Sequence, residues 1–133
     1  MQILKYLIVV LSFSIVSCTE LTAPLPSTDF SALLQSWTHS YEEQTDSIQV
    51  YRPSNYKNFE QSRFRGTYEF RADGVCTYLV LGPADGHYLE TGKWSTSVQD
   101  DSVIVIFDSS GVEHQKIQII ELRGDLLRFV YVQ

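Results

Sequence analysis

From residue 36 to the end of the chain, apolar residues come in short runs with a period of two, broken roughly every ten residues by turn formers. The pattern predicts eight strands, over 36–43, 47–53, 66–72, 75–82, 87–97, 102–108, 113–122 and 126–132. The breaks are Ala72-Asp73-Gly74, Gly82 to Gly86, Gln99-Asp100-Asp101, Asp108 to Gly111 and Arg123-Gly124-Asp125. Every connection after residue 66 is short, which forces successive strands to run antiparallel. Eight such strands reach a stable arrangement by closing into a barrel, because closure leaves no strand edge exposed. The expected class is therefore all-β: a small antiparallel eight-stranded barrel.

Parity along the strands says which side chains face inward. Tyr68 and Phe70 share one face, with Thr67, Glu69 and Arg71 on the other. Val103 to Phe107 is apolar on both faces, so its outer face must be covered or lie in a partner interface. In residues 116–122, Ile117 and Ile119 share one parity while Ile120 and Leu122 take the other, a phase slip that predicts a bulge near 119–120. Ahead of the strands, Ser27, Thr28 or Asp29 can cap a helix of two turns. That helix would put Phe30, Leu33, Leu34 and Trp37 on one side and plug one end of the barrel. The span from about 54 to 65 is the single long connection.

The first residues do not belong to this pattern. Lys5 precedes an apolar run of about eleven residues that ends at Ser17-Cys18, the layout of an export signal. The run is too short to cross a membrane as a helix, which takes about 20 residues. Residues 19–29 hold two prolines, several Ser and Thr and few large apolar residues, the composition of a tether. The division is then a signal peptide over 1–17, a tether over 18–28 and a barrel domain over 29–133.

The 133 residues carry a net charge of −6, which becomes −7 once Lys5 is removed. That balance argues against nucleic acid and against anionic headgroups as partners. The chain has two cysteines, Cys18 and Cys76. Cys76 lies within an apolar strand, where a small buried hydrophobe is a simpler role than a nucleophile. No Cys-x-x-Cys or other metal-ligand spacing occurs. His39, His87 and His114 fall on separate strands, and the pairs Glu42-Glu43 and Asp100-Asp101 split their members between faces or sit in turns. The serines lack a nucleophile-elbow context. No catalytic group, metal site or cofactor is expected, and the chain reads as non-enzymatic.

Two resemblances refine the picture. Ile15-Val16-Ser17-Cys18 resembles the lipobox of bacterial lipoproteins. The resemblance implies a diacylglyceryl thioether on Cys18, cleavage before it, and acylation of the new amino group by a fatty chain such as palmitate. Anchorage by several acyl chains is stable, since each buried methylene contributes about 0.8 kcal/mol. With Cys18 lipidated, Cys76 has no partner for an intramolecular disulfide. Thr19 follows Cys18 where an inner-membrane retention signal would have Asp, which points to the outer membrane of a bacterial envelope.

The second resemblance runs over about residues 33–132. Leu34 and Trp37, then Tyr68 to Gly74, then Gly92-Lys93-Trp94, the aliphatic Val103 to Phe107 and the final Leu126 to Val132 look like the lipocalin-like domains of bacterial lipoproteins. It implies a calycin-like barrel that can hold a small ligand. The chain departs from that family in lacking a glycine two residues before Trp37, where Gln35 stands, and in being shorter.

The candidate site is the stretch 51–66, which holds four of the nine Lys and Arg residues left after Lys5 is discounted. Two arrangements fit it. Arg52 and Arg63 can close on Glu42 or Glu43 as a structural clamp. Alternatively Tyr51, Arg52, Tyr56, Arg63 and Phe64, with Phe59 and Arg65 nearby, can form an aromatic and cationic rim that binds a ligand. The expected function is a membrane-anchored binding lipoprotein for a small hydrophobic or amphipathic ligand. The alternative is an envelope interaction or inhibitor module with a packed barrel, for which the doubly apolar 103–107 strand would supply an interface.

Overall fold

The computed structural model describes residues 29–62 and 64–133. The expected signal peptide over 1–17, the expected tether with Cys18, and Arg63 lie outside the described residues. Eight strands form a closed antiparallel barrel. They are β1 Ser36–His39, β2 Gln49–Pro53, β3 Thr67–Phe70, β4 Val75–Leu81, β5 His87–Thr96, β6 Val103–Phe107, β7 Glu113–Arg123 and β8 Leu126–Val132. Each lies within a residue or two of its predicted span, apart from β1, which stops at His39. There Tyr41–Glu43 forms a 3-10 turn instead of more strand.

The order around the barrel is β1-β2-β8-β7-β6-β5-β4-β3, closed by the pairing of β3 with β1. β1 thus stands between β2 and β3, which follow each other in sequence. Both run antiparallel to β1, so the 54–66 connection must travel the length of β1 rather than turn back at one end. It starts where Ser54 N–H donates to the Ser36 carbonyl and arrives where His39 N–H donates to the Gly66 carbonyl. Thr38 points outward, opposite in parity to Trp37, yet is only 7% exposed. Its hydroxyl lies 2.8 Å from that of Ser54, under the crossing chain.

Two side chains close one end of the barrel. Leu33 is fully buried, and Phe30 packs edge-on against Trp94 with ring centres 6.4 Å apart. They belong to a single 3-10 turn, Phe30–Leu33, capped by Asp29, whose carboxylate accepts from Ser31 N–H. The expected two-turn helix is not formed. Trp37 has to enter β1 and face the barrel interior, so the chain leaves helical geometry at Leu34, which is 38% exposed rather than packed beside Leu33. The plug survives this change because Trp37 Nε1–H donates to the Leu33 carbonyl at 2.9 Å.

The interior is filled by inward residues from all eight strands. Trp37, Phe70, Cys76, Tyr78, Ile104, Ile106, Ile117, Leu127 and Phe129 are each 1% exposed or less. Burying a large apolar side chain contributes about 1.5–3 kcal/mol, so this layer supplies much of the barrel's stability. Burial pushes the Cys76 thiol up to about 12, which leaves it unreactive near neutral pH. The predicted bulge appears where the β7–β8 register shifts between Ile119 and Glu121. On β6 the outward Val105 is 8% exposed, flanked in register by Ser95 and Lys116, so its outer face is covered within the fold.

Candidate functional site

The end of the barrel opposite the plug is open, and a cavity of about 380 Å³ lies there. Tyr51 and Tyr68 form its floor, 2% and 7% exposed. Around the rim stand Phe64, His114 and Tyr131. Leu79 to Leu81 supply another side of the rim. They can do so because β3 is paired with β4 only up to Tyr68↔Tyr78, while β4 continues to Leu81.

The floor is polar as well as aromatic. Tyr68 donates its hydroxyl proton to Gln115 Oε1 at 2.6 Å, which orients the Gln115 amide. Burial raises the Tyr51 and Tyr68 phenols far above the ordinary range, and the neighbouring Tyr131 phenol adds to it. Both therefore stay protonated hydroxyls. Tyr51 stacks on His39, with centres 4.9 Å apart, and leans on Phe129 at 5.2 Å. His39 is itself held by Gln44, Nε2 to Oε1 at 2.6 Å, and burial lowers its pKa below the usual histidine value. On one side of the rim His114 stacks on the buried Tyr78, centres 4.6 Å apart.

The residues expected to form one rim are divided between two places. Tyr51 and Phe64 belong to the mouth. Arg52, the next residue along β2, takes the opposite parity and points to the outer wall near the plugged end, with Tyr56 beside it. Strand alternation makes this separation unavoidable. Arg63 lies outside the described residues.

On the outer wall the cations of the connection are engaged as a clamp. Arg52 grips Glu43 through two hydrogen bonds of 2.8 and 2.5 Å. It also donates to the Asp125 carbonyl at 2.8 Å and covers the Tyr56 ring at 4.6 Å. Arg65 donates to the His39 carbonyl at 2.6 Å and to that of Glu60 at 3.1 Å, over the faces of Tyr41 and Phe59. Lys57 reaches Glu42 at 3.4 Å. Tyr41 donates its hydroxyl to the Phe64 carbonyl, which ties the end of the connection to the mouth.

The Arg52 fork holds the Glu43 carboxyl down to about 2, against an ordinary value near 4.5. A depressed carboxyl contributes stability that is present above its unfolded pKa and lost as pH falls through its folded one. Arg52→Ala should therefore lower stability by about 1 kcal/mol at pH 7, discounted because the pair is partly solvated. The difference from the native chain should shrink between about pH 4.5 and 2, as read by urea unfolding across that range. A penalty that does not change with pH would deny the clamp.

Among the described residues no three His, Cys, Asp or Glu side chains gather as a metal site. A second depression, of about 420 Å³, lies against the Asp108 to Gly111 turn, but Asp108 is already accepting from Ser110 and Val112. The mouth residues that the sequence reading passed over are Tyr68, His114, Gln115 and Tyr131. Parity carries a signal for three of them, since Tyr68 shares the inward face of Phe70, Gln115 that of Ile117 and Tyr131 that of Phe129, whereas His114 has the outward parity and is brought to the rim where the β6–β7 register shifts.

The fold and the site together define a class: a small closed eight-stranded barrel, plugged at one end and open at an aromatic, hydroxyl-rich mouth. In comparisons with known proteins, no family model, no curated protein and no solved structure matches the chain.

Proposed function

We propose that the protein is a non-enzymatic binding lipoprotein of the bacterial envelope, anchored through Cys18, with a small amphipathic ligand held in the barrel mouth. The observation that carries this reading is the mouth cavity, whose volume of about 380 Å³ falls in the range of small-molecule sites, roughly 300–1,000 Å³. Its aromatic walls and converging polar groups suit a ligand with both kinds of surface. The reading does not lean on the lipocalin resemblance, because lipocalins are up-and-down barrels and here β1 separates β2 from β3.

A second reading, docking of a protein partner, is favoured by the β4–β5 hairpin. β5 pairs with β6 only from Lys93 onward, so the hairpin tip projects past the wall, with Leu81, Tyr88 and Leu89 54–63% exposed.

Native mass spectrometry of the lipoprotein extracted from its own host separates the two. The expected result is a small molecule retained by the protein, with the retained fraction reduced at least fivefold in Tyr131→Ala. A ligand-free protein that co-purifies with a stoichiometric polypeptide would instead support docking.

A further inference from the structure

We infer that the mouth takes an uncharged saccharide, the terminal one or two rings of a glycan; this rests on the reading of the mouth as a binding site and names its ligand class.

Depth is the first constraint. The floor is made of Tyr51 and Tyr68, and Phe129 lies against both, with ring centres 5.2 and 6.1 Å away. Below them the interior is packed and the far end is plugged by Leu33. A long acyl chain would need a channel down the barrel axis, and these rings occupy it. Only a compact ligand lying across the mouth fits.

Charge is the second. Among the described residues the lining contains no Lys, Arg, Asp or Glu. Among the described residues no Lys or Arg side chain would meet a carboxylate or phosphate there, and stripping water from an unpaired ion is costly. Arg52, Lys57 and Arg65 cannot serve from the outer wall, where each is already paired with Glu42 or Glu43.

Surface chemistry is the third. The rim offers exposed aromatic planes, Tyr131 at 46% and Phe64 at 57%. Beside them are hydroxyl and amide groups from Tyr68 and Gln115, which donate and accept at neutral pH without carrying charge. A pyranose ring needs both: its C–H faces lie on aromatic rings, and its equatorial hydroxyls bond to neutral polar side chains. A purely apolar ring would cover the Gln115 amide N–H groups, whose oxygen Tyr68 already occupies, without offering them an acceptor, which costs binding energy.

Isothermal titration of the detergent-solubilised lipoprotein tests this with cellobiose, maltose and N,N′-diacetylchitobiose, alongside palmitate and 1-naphthol. The expected result is saturable binding of at least one disaccharide and none of palmitate. Tyr131→Ala should weaken that binding at least tenfold, and Tyr68→Phe, which removes one hydroxyl and keeps the ring, at least fivefold. Val98→Ser, on the fully exposed β5–β6 turn, should leave it unchanged. Binding of palmitate or naphthol with the same sensitivity to Tyr131→Ala, and of no sugar, would overturn the saccharide class and leave the mouth a binding site. Silence from every probe would overturn both.

Discussion

Trp37→Ala is expected to lower the unfolding free energy by about 3–5 kcal/mol, the range for deleting a large buried aromatic. Trp37 is fully buried, faces the barrel from β1 and donates Nε1–H to the Leu33 carbonyl. Its loss empties the closed end and also releases the turn that plugs it. For a domain whose total stability is about 5–15 kcal/mol, that is a large share. At about 4–8 °C per kcal/mol for a chain of this size, thermal unfolding followed by circular dichroism should move down by more than 12 °C. Trp37→Phe separates the two contributions. It keeps most of the packing but leaves the Leu33 carbonyl without its donor, so about 1–2 kcal/mol is expected. A penalty below about 1 kcal/mol for Trp37→Ala would mean that the closed end is not packed as described.

Trp37 also illustrates what was legible in the sequence. Strand positions were readable because an inward-outward alternation is local: each strand announces its buried face through its own residues. The β7 bulge was readable for the same reason, since the parity of Ile117, Ile119 and Leu122 breaks within one strand. The helix before β1 was misread because the apolar spacing of Phe30, Leu33, Leu34 and Trp37 matches a helical face. Trp37 satisfies that spacing while belonging to a strand, and only the tertiary fold decides between the two. Strand order was hidden as well. That β1 inserts between β2 and β3 depends on long-range pairing, and the one long connection, 54–66, was the only local sign that a strand is crossed.

The candidate site was legible in composition and hidden in placement. The run of cations and aromatics at 51–66 does gather structure around itself, but chiefly as the clamp joining Arg52 to Glu43 and Arg65 to the His39 carbonyl. Beyond Tyr51 and Phe64, the mouth is assembled from residues of β3, β4, β7 and β8, none of them unusual in its own stretch. Tyr68, Gln115 and Tyr131 are 16 or more positions apart in sequence, and closure of the barrel brings them together. A local reading finds charge clusters readily and misses sites whose uncharged residues are spread over several strands.

The second large effect is expected at Gly92, where β5 leaves β6. A Cβ added there would run into the Phe107 backbone carbonyl, with the Phe107 carbonyl carbon 2.9 Å away. Those atoms belong to the main chain of β6, so no rotamer change relieves the clash, and the β5–β6 seam itself must shift. Overpacking usually costs about 1–3 kcal/mol, and a clash with backbone belongs at the upper end, so Gly92→Ala should cost about 3 kcal/mol. Gly124→Ala is the control: a Cβ there meets nothing within 4 Å and the backbone conformation suits any residue, so a change within about 0.5 kcal/mol is expected. The consequence should reach beyond stability. Gly92 is opposite Cys76 on β4, and from it the hairpin continues to Leu79–Leu81, which line the mouth. Moving the seam tilts that hairpin, so in Gly92→Ala the amide resonances of Leu79 to Leu81 should shift in NMR spectra together with those of Phe107. Shifts confined to the neighbours of residue 92 would mean that the mouth wall and the seam are mechanically independent.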